Sequence, residues 1–322
     1  MANISLTTDC NRNCSFCFAR NVRNQGRSDI SEPVFFRALT FLKDGGVETV
    51  RLMGGEPTLH TQFLFFIDAT LEQGLNVQVF TGGVISESIL DALVANYIND
   101  DALHFVLNVD LEASSDGKLL HHQEKLCQRF GKKVTLGTTI MHSYQNTDRL
   151  TELRSRWGTA PTIRLGVAQP IAKGGARFVR EPQLSNVGAL TERFCRNAIE
   201  KGINVDFDCG WTPCMFSSDF MGTSPFAKQI GPRCNPVIDI LPDGDIIPCY
   251  ALSHLNCANL QSDKTRDAMV TRFETELQPW REVGSKPECS TCTYRHREIC
   301  CGGCVARAMM RAMSCQQGGA EA

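Results

Sequence analysis

The sequence predicts an α/β fold in which a partial barrel of six β/α units precedes a small cysteine-rich domain. Three observations support this prediction. Apolar strand-like stretches alternate with helical stretches six times over the first two thirds of the chain, as expected for a parallel sheet covered by helices. Polar, glycine-containing loops follow the first strands, and irregular cysteine-rich sequence fills the last third. We expect a barrel over 1–202, a bridging segment over 203–232 and a cysteine-rich domain over 233–322.

The six predicted strands are rich in Val, Ile, Leu, Thr and Phe, which favour extended structure. In chain order they are NISLTT, ETVRLMGG, NVQVFTGG, LHFVLNVD, KVTLGTTIM and TIRLGVAQ. The carboxyl ends of parallel strands lie at one rim of the sheet, and the active sites of such folds are found at that rim. We therefore expect the loops that follow the first three strands to form one site.

Six helices are predicted between and after these strands. They are PVFFRALTFLKDGG, TQFLFFIDATLEQG, SESILDALVANYI, GKLLHHQEKLCQRFG, TDRLTELRSRWG and SNVGALTERFCRNAIEKG. In the first of them Pro33 suits the opening turn and Gly45 suits a helix end.

After Gly202 the pattern changes. INVDFDCGWTPCMF predicts one more strand and an irregular loop, and VIDILPDGDIIPCY predicts a hairpin with Pro242, Asp243 and Gly244 in its turn. The stretches RFETELQPWREVG and VARAMMRAM predict the last helices. A core this small is expected to be held together by metal.

Composition excludes several classes of protein. The net charge is −2, from 33 Lys and Arg against 35 Asp and Glu, so a nucleic-acid partner is not expected. The beginning, MANISLTTDC, lacks the features of a signal peptide, and no apolar run approaches the roughly 18 residues of a membrane span. We expect a cytoplasmic protein without a membrane partner. The 16 cysteines are then better explained by metal binding than by a disulfide scaffold.

Three cysteines, Cys10, Cys14 and Cys17, follow the first strand with the spacing C-x3-C-x2-C. Thiolates are soft ligands that favour iron–sulfur clusters or zinc. A structural site would close its coordination shell with a fourth Cys or His, but the nearest histidine is His60. Three thiolates leave one iron of a four-iron cube open to a small molecule.

This spacing, with Phe16 before the last cysteine, resembles the signature of the radical S-adenosylmethionine (radical SAM) superfamily. The resemblance implies an enzyme with a partial radical SAM barrel. Its [4Fe-4S] cluster would be held by the catalytic cysteines Cys10, Cys14 and Cys17, and the open iron would bind the amino and carboxylate groups of SAM. Reductive cleavage of SAM would give a 5′-deoxyadenosyl radical that abstracts hydrogen from a substrate. Phe16 would lean on the adenine, or simply pack the loop.

The stretch MGGEPTL after the second strand resembles the GGEP motif of the same family. The resemblance implies a cofactor-binding role for Gly54, Gly55, Glu56 and Pro57, with Glu56 pairing with the methionyl ammonium group. The glycines would let the backbone approach a ligand closely. Taken alone, the motif also suits a turn before a helix, with Pro57 in the first turn.

The third strand ends in VFTGG, where the family more usually has TNG. Gly83 stands where that motif has asparagine, and Thr81 is expected to contact the cofactor. A plain strand-to-helix turn is the alternative. By the same resemblance, Asn108 after the fourth strand and Thr138 in the fifth would reach the ribose or the substrate, or else cap the strand ends.

A general base is required if an alcohol or amide proton leaves the substrate. Asp110 is the candidate catalytic carboxylate, because it ends the fourth strand. Asp206 and Asp208 also lie near predicted strand ends, and the sequence does not rank the three.

A second cysteine set begins at Cys234 and resembles the SPASM domain that follows many radical SAM barrels. It departs from the pattern between Cys292 and Cys300, where seven residues stand in place of five. The resemblance implies two auxiliary [4Fe-4S] clusters, so three clusters in all. The first would be held by Cys214, Cys234, Cys249 and Cys304, and the second by Cys289, Cys292, Cys300 and Cys315. Cys209 is the alternative to Cys214, and zinc is the alternative to the clusters.

Enzymes of this architecture modify peptides or proteins, and this is the expected function, with auxiliary clusters accepting an electron from the substrate. Dehydrogenation of a small aminoglycoside-type alcohol and non-catalytic electron transfer are the alternatives. The expected partners are the substrate, an electron donor such as flavodoxin or ferredoxin, and a separate leader-peptide-binding protein. The first strand begins at once, which weakens the hypothesis of a leader-dependent peptide substrate; a separate protein would then have to supply the leader-binding domain.

Overall fold

The computed structural model describes most of the chain, with short gaps. The described ranges are 2–24, 28–113, 116–172, 175–231, 234–255, 258–262 and 265–318, with side chains in the last helix described to 313. Within these ranges one sheet contains ten strands. No helix in the described part is both long enough and apolar enough to cross a membrane.

Seven parallel strands lie side by side in chain order, as the α/β prediction requires. They are β1 (Ala2–Thr7), β2 (Thr49–Gly54), β3 (Asn76–Thr81), β4 (Leu103–Asn108), β5 (Val134–Ile140), β6 (Thr162–Val167) and β7 (Asn204–Phe207). The six predicted strands are therefore confirmed. The additional strand predicted after Gly202 is β7, which pairs with β6.

The helices follow the predicted order. They are α1 (Arg20–Arg23), α2 (Glu32–Asp44), α3 (Phe63–Glu72), α4 (Glu87–Tyr97), α5 (Gly117–Phe130), α6 (Asp148–Trp157), α7 (Leu184–Glu200), α8 (Ser218–Thr223), α9 (Arg266–Val283), α10 (Thr293–His296) and α11 (Val305–Gly318). The predicted helices correspond to α2–α7, α9 and α11. The short helices α1, α8 and α10 were not predicted, because a single turn carries no periodic signal.

The main core lies between the sheet and the apolar faces of its covering helices. Phe35 of α2 stacks on Phe66 of α3 with 4.1 Å between ring centroids, and both side chains are fully buried. Burying one such side chain contributes roughly 1.5–3 kcal/mol. This packing fixes the strands, so the loops at their carboxyl ends start from rigid positions.

The cysteine-rich segment extends the same sheet beyond β1. The predicted hairpin is confirmed as β8 (Asp239–Ile240) and β9 (Asp245–Ile247), with β10 (Ala258–Asn259) added at the edge. Gly244 in its turn has φ of +84°, a conformation that favours glycine. Because β8 pairs in parallel with β1, the rear cysteine segment is joined to the strand that leads into the front cysteine loop.

The junction between β1 and β8 contains a buried acid. Asp239 is 2% exposed and accepts hydrogen bonds from the Asn3 side chain and from the Tyr250 backbone N–H at 3.0 Å. Burial raises the pKa of Asp239 from 3.8 to about 7. The folded chain therefore holds a proton that the unfolded chain has already lost, so its stability falls as the pH rises towards and through 7.

We expect the apoprotein to lose about 1.4 kcal/mol of unfolding free energy from this group between pH 6 and pH 8. In Asp239→Asn this loss should be absent, since asparagine does not titrate. Urea unfolding of both proteins at the two pH values measures the difference. Equal pH dependence in the two proteins would contradict the assignment.

Candidate functional site

The front cysteine loop leaves the carboxyl end of β1. The Thr7 hydroxyl donates to Asp29 at 2.6 Å and accepts from the Asp9 backbone N–H at 3.0 Å, which fixes the direction in which the chain leaves the strand. The Cys17 backbone N–H donates to the Cys14 carbonyl at 3.2 Å. This turn brings Cys10, Cys14 and Cys17 together on one short loop, and all three are partly exposed.

The environment of this loop affects two of its thiols. Burial raises the pKa of Cys10 and of Cys14, and the Arg23 charge counteracts part of the rise at Cys10. Metal or cluster binding requires thiolates and releases these protons. Three soft donors on one loop suit an iron–sulfur cluster with an open iron. Across the described ranges, no three His, Cys, Asp or Glu side chains converge as ligands of a single metal ion.

The two glycines of the GGEP motif sit directly against the start of this loop. A Cβ on Gly54, which has φ of +142°, would lie 2.3 Å from the Thr7 carbonyl oxygen, and one on Gly55 would lie 1.9 Å from the Asp9 carbonyl oxygen. The Gly55 and Glu56 backbone N–H groups donate to those same two oxygens, each at 2.7 Å. The close approach predicted for a ligand is thus already made by the protein backbone.

The Glu56 side chain is buried, with 1% exposure, and burial raises its pKa. Its carboxylate accepts from the Thr58 hydroxyl at 2.9 Å, the Thr81 hydroxyl at 2.9 Å and the Gly82 backbone N–H at 2.8 Å. Pro57 opens the short 3-10 turn Pro57–Leu59 that carries Thr58. The contact predicted between this carboxylate and the methionyl ammonium group of SAM stays a prediction. In the structure the carboxylate joins the ends of β2 and β3.

The third loop is held by the same network. The Thr81 hydroxyl donates to Glu56 and accepts from the Gly83 backbone N–H at 2.9 Å. Gly83 has φ of +83°, and a Cβ there would lie 2.7 Å from the Leu107 side chain and 2.8 Å from that of Gln123, so the site favours glycine. A Cβ on Gly82 would lie 2.7 Å from the Arg12 side chain, so this loop also touches the cysteine loop.

The ends of β4 and β5 place the remaining predicted residues differently. Asn108 is exposed, and its carbonyl accepts from Arg12 at 3.2 Å. Asp110 pairs with Arg12 at 3.4 Å and accepts from the Glu112 backbone N–H at 3.1 Å. The Thr138 hydroxyl is buried and donates to the Val109 carbonyl at 2.7 Å, so it serves the backbone.

Phe16 packs against the main core as a partly buried side chain. This contact agrees with the packing alternative for the residue, and it leaves part of the ring accessible on the cysteine loop.

A charged lumen that sequence reasoning largely missed lies between the strands. Arg164 of β6 lies over the Phe80 ring of β3, 4.8 Å from its centroid, and forms an ion pair with Asp208. Arg51 of β2 lies over the same ring at 5.5 Å. Burial raises the pKa of Asp206, which is the register partner of Arg164 on β7. Charged residues at alternate positions of otherwise apolar strands were the signal that was available in the sequence.

The rear thiols fall into two groups in the described part of the chain. In the first, Cys304 belongs to a small apolar cluster with Leu252 and Leu277, and Cys234 and Cys249 pack against it. Burial and the neighbouring Cys234 raise the pKa of Cys304 to about 11. Cys209 is exposed to solvent on one side; desolvation by its neighbours raises the pKa of its thiol, and the nearby Cys304 and Cys234 raise it further.

A chain of hydrogen bonds connects Gly210, the residue after Cys209, to the helix that follows Cys304. The Gln169 side chain donates to the carbonyl of Gly210, the next residue, at 3.4 Å and accepts from Arg307 at 3.0 Å. Arg307 lies in the first turn of α11, which begins directly after Cys304. Cys209, the alternative considered in the sequence, is therefore the thiol that stands beside Cys234, Cys249 and Cys304.

Cys214 stands with the second group instead. Burial raises the pKa of Cys300, and the nearby thiols that raise it further belong to Cys214, Cys289 and Cys292. A Cβ on Gly231 would touch both Pro213 at 2.8 Å and the Ile299 carbonyl at 2.9 Å, so the residues preceding Cys214 and Cys300 are close. From the sequence we expect Cys214 beside Cys234, whereas in the structure Cys214 lies near Cys300; which of Cys209 and Cys214 binds the first cluster stays a prediction. The 3-10 turn Pro213–Met215 directs the two thiols of C-x4-C to different neighbours, which spacing alone does not reveal.

The side chain of Cys315, predicted as the last ligand of the second group, lies outside the described residues, as does Cys257. Cys127 and Cys195 are buried in α5 and α7, as expected for cysteines of the core.

Comparison with known proteins gives one family match. Residues 4–141 match the model of the Radical SAM superfamily. The chain is 25% identical over 207 residues to the sporulation killing factor maturation protein SkfB of Bacillus subtilis, covering 64% of this chain and 46% of SkfB. It is 24% identical over 319 residues to the PqqA peptide cyclase of Rhodopseudomonas palustris, covering 95% of this chain and 81% of the cyclase. The chain thus spans about half the length of SkfB.

Several solved structures are similar over nearly the whole chain. The crystal structure of Streptococcus suis SuiB bound to S-adenosylmethionine matches with a TM-score of 0.68 and 20% identity, covering 94% of this chain and 72% of SuiB. At this identity the likeness shows the fold. It confirms the α/β barrel architecture.

Proposed function

The chain carries a radical SAM domain at residues 4–141, and from this premise we propose that the whole protein oxidises a peptide or protein substrate. In this proposal SAM is cleaved reductively at the front cysteine loop, and the rear cysteines hold clusters that accept the electron left on the substrate. The observation that carries the proposal is the front loop, where three thiols lie on one short loop that packs against the GGEP backbone.

The front cluster, when bound, supplies one-electron reduction of SAM to methionine and a 5′-deoxyadenosyl radical. The chain's own residues provide position and environment. Cys10, Cys14 and Cys17 would hold the cluster, and the backbone of Gly54 and Gly55 fixes the start of their loop. The Glu56 network ties that backbone to the end of β3, so the rim does not need to reorganise when ligands bind.

We propose two auxiliary clusters with a revised ligand set. Cys209, Cys234, Cys249 and Cys304 would hold the first, because their thiols lie together. The second would be held by Cys289, Cys292 and Cys300, with Cys214 or Cys315 as the fourth ligand. The donor set is entirely thiolate, which suits iron–sulfur clusters. Iron and sulfide analysis of Cys209→Ala beside Cys214→Ala tests the division between the two groups.

Peptide modification is supported by the names of the relatives, which include a peptide cyclase and a maturation protein, and by a SuiB structure bound to its precursor peptide SuiA. We propose that an acidic one-electron donor such as flavodoxin or ferredoxin serves the front cluster. The arginines Arg12, Arg20 and Arg23 surround the cysteine loop and match such a partner in charge. A separate leader-peptide-binding protein completes the proposal for a leader-dependent substrate.

The substrate class can be tested directly. The reconstituted protein is incubated anaerobically in heavy water with SAM, reductant and a panel of peptides encoded by neighbouring genes, alongside aminoglycoside-type alcohols. A peptide substrate should increase the formation of deoxyadenosine, and this deoxyadenosine should contain no deuterium from the solvent. If only an alcohol does so, the protein is a small-molecule dehydrogenase, and the peptide proposal is wrong.

Replacing Glu56 separates an enzyme from a simple electron-transfer protein. Glu56→Ala leaves the Thr58 and Thr81 hydroxyls and the Gly82 N–H without their buried acceptor, which costs about 1–3 kcal/mol for each group. We expect deoxyadenosine formation to fall at least about tenfold while the iron content of the protein stays at three clusters. Glu56→Gln, which keeps two of these acceptor contacts, should lose less. Unchanged deoxyadenosine formation in Glu56→Ala would contradict the role given to this network.

A further inference from the structure

The guanidinium group of Arg23 lies inside the front cysteine loop. Arg23 is the last residue of the short helix α1, which the Cys14–Cys17 turn leads into. Its Nη1 donates to the Cys17 sulfur at 3.9 Å, and its Nη2 donates to the Arg12 carbonyl at 3.3 Å. One guanidinium group therefore contacts both the last thiol of the triad and the backbone between its first two thiols.

The Nε–H donor of the Arg23 guanidinium group has no acceptor among the residues that the structure describes. The Nε atom of Arg23 is buried and makes no hydrogen bond to the residues that the structure describes. A buried donor without a partner costs about 1–3 kcal/mol, and more when it is charged. An acceptor that is brought by a ligand of the cysteine loop would remove this cost. Sulfur atoms of an iron–sulfur cluster are acceptors of that kind.

The two neighbouring arginines are directed elsewhere. The Arg20 Nη2 donates to the Cys14 carbonyl oxygen at 3.0 Å, so it contacts the loop backbone. The Arg12 guanidinium contacts the Asn108 carbonyl and Asp110. The Arg12 backbone N–H donates to the Cys10 sulfur at 3.4 Å, but among the hydrogen bonds of the described residues Arg23 is the one of these three whose guanidinium group donates to a cysteine sulfur. Arg20 therefore serves as a matched control with equal charge on the same helix.

We propose that Arg23 is a positioning residue that sets the reduction potential of the front cluster through hydrogen bonds to its sulfur atoms. The inference rests on the proposed function, since it requires a cluster on Cys10, Cys14 and Cys17. Reduction adds one negative charge. A cation that donates to sulfur stabilises that charge and raises the potential. The role is electronic and orienting, and Arg23 need not touch SAM or the substrate.

The test is an EPR-monitored redox titration of the full-length reconstituted protein. The EPR signal of the front cluster is identified as the signal that is absent from the Cys14→Ala variant. In Arg23→Gln we expect its reduction equilibrium to fall about tenfold, which is about 59 mV towards negative potential for one electron. Arg23→Lys, which keeps the charge, should shift less, and Arg20→Gln should shift least. Equal shifts in Arg20→Gln and Arg23→Gln, or no shift in Arg23→Gln, would overturn the inference.

A second measurement tests the inference on the wild-type protein, so that it does not depend on whether the Arg23 variants assemble a front cluster. Wild-type protein labelled with ¹⁵N-arginine is reduced, and pulsed electron–nuclear double resonance is recorded on the front component. We expect a guanidinium ¹⁵N coupling that is absent from Arg23→Lys and retained in Arg20→Gln. A wild-type front component without this coupling overturns the inference alone. A wild-type chain with no front component overturns the proposed function together with it.

Discussion

Cys14→Ala is expected to abolish reductive cleavage of SAM, with deoxyadenosine formation falling more than about 100-fold, since loss of a direct ligand should exceed the 10- to 100-fold typical of outer-shell partners. Cys14 is the middle thiol of the front loop, and its carbonyl also accepts the hydrogen bonds from Cys17 and Arg20 that shape the turn. Two remaining thiols cannot hold a four-iron cube with only one open iron. The measurement is deoxyadenosine by chromatography, together with iron per chain.

Cys127→Ala provides the matched control. Cys127 is fully buried in α5 and belongs to the main core, where burial raises its pKa. Its loss removes a small apolar side chain and should cost about 1 kcal/mol or somewhat more, while iron content and deoxyadenosine formation stay unchanged. A Cys14→Ala protein that still makes deoxyadenosine at the wild-type rate would show that the front loop is not the SAM site.

Gly55→Ala is expected to have the second largest effect. Its Cβ would lie 1.9 Å from the Asp9 carbonyl oxygen and 2.8 Å from that of Thr8, so the β2 end and the cysteine loop must separate. A displacement near 1 Å at a catalytic site costs about 100-fold in rate. We expect a loss of that size in deoxyadenosine formation, with a lower thermal midpoint for the apoprotein.

Gly117→Ala is the control for a glycine that is not constrained. Gly117 opens α5, and a Cβ there meets no atom within 4 Å. Alanine favours helix over glycine by up to about 1 kcal/mol, so this variant should be as active as the wild type and no less stable. Calorimetry and the deoxyadenosine assay on both variants measure the contrast. Equal activity in Gly55→Ala and Gly117→Ala would contradict the packing described for the GGEP backbone.

The sequence predicted the architecture well because the strands and helices of the barrel are repeated local patterns. Each strand is a run of β-favouring residues, and each covering helix is long enough to show its period. The front site was also predictable, because Cys10, Cys14 and Cys17 lie within one loop. Parallel strands then bring the GGEP and TGG loops to the same rim without further information.

What the sequence left open depends on contacts between distant segments. The two-residue strand β8 pairs with β1 across more than 200 residues, and a strand this short has no periodicity. The contacts of Arg51 and Arg164 with Phe80 form only when β6 comes close to β3, although β4 and β5 lie between these two strands in the sheet. The division of Cys209 and Cys214 between two thiol groups follows from a bend in the intervening segment, which spacing does not encode.

The role of Glu56 shows the same limit at a single residue. The motif indicates that a carboxylate is needed after the glycines, but it does not show which donors surround it. In the structure these donors are Thr58, Thr81 and Gly82, on two separate loops. A carboxylate aimed at a ligand and one that joins two strand ends are identical in sequence.

The central claim is that the front triad leaves one iron open for SAM. Pulsed electron–nuclear double resonance on the reduced protein with SAM labelled at its amino nitrogen and carboxylate oxygens tests it most directly. The account predicts ¹⁵N and ¹⁷O couplings on the component that Cys14→Ala lacks. If that component forms fully and shows neither coupling with saturating labelled SAM, the account is contradicted.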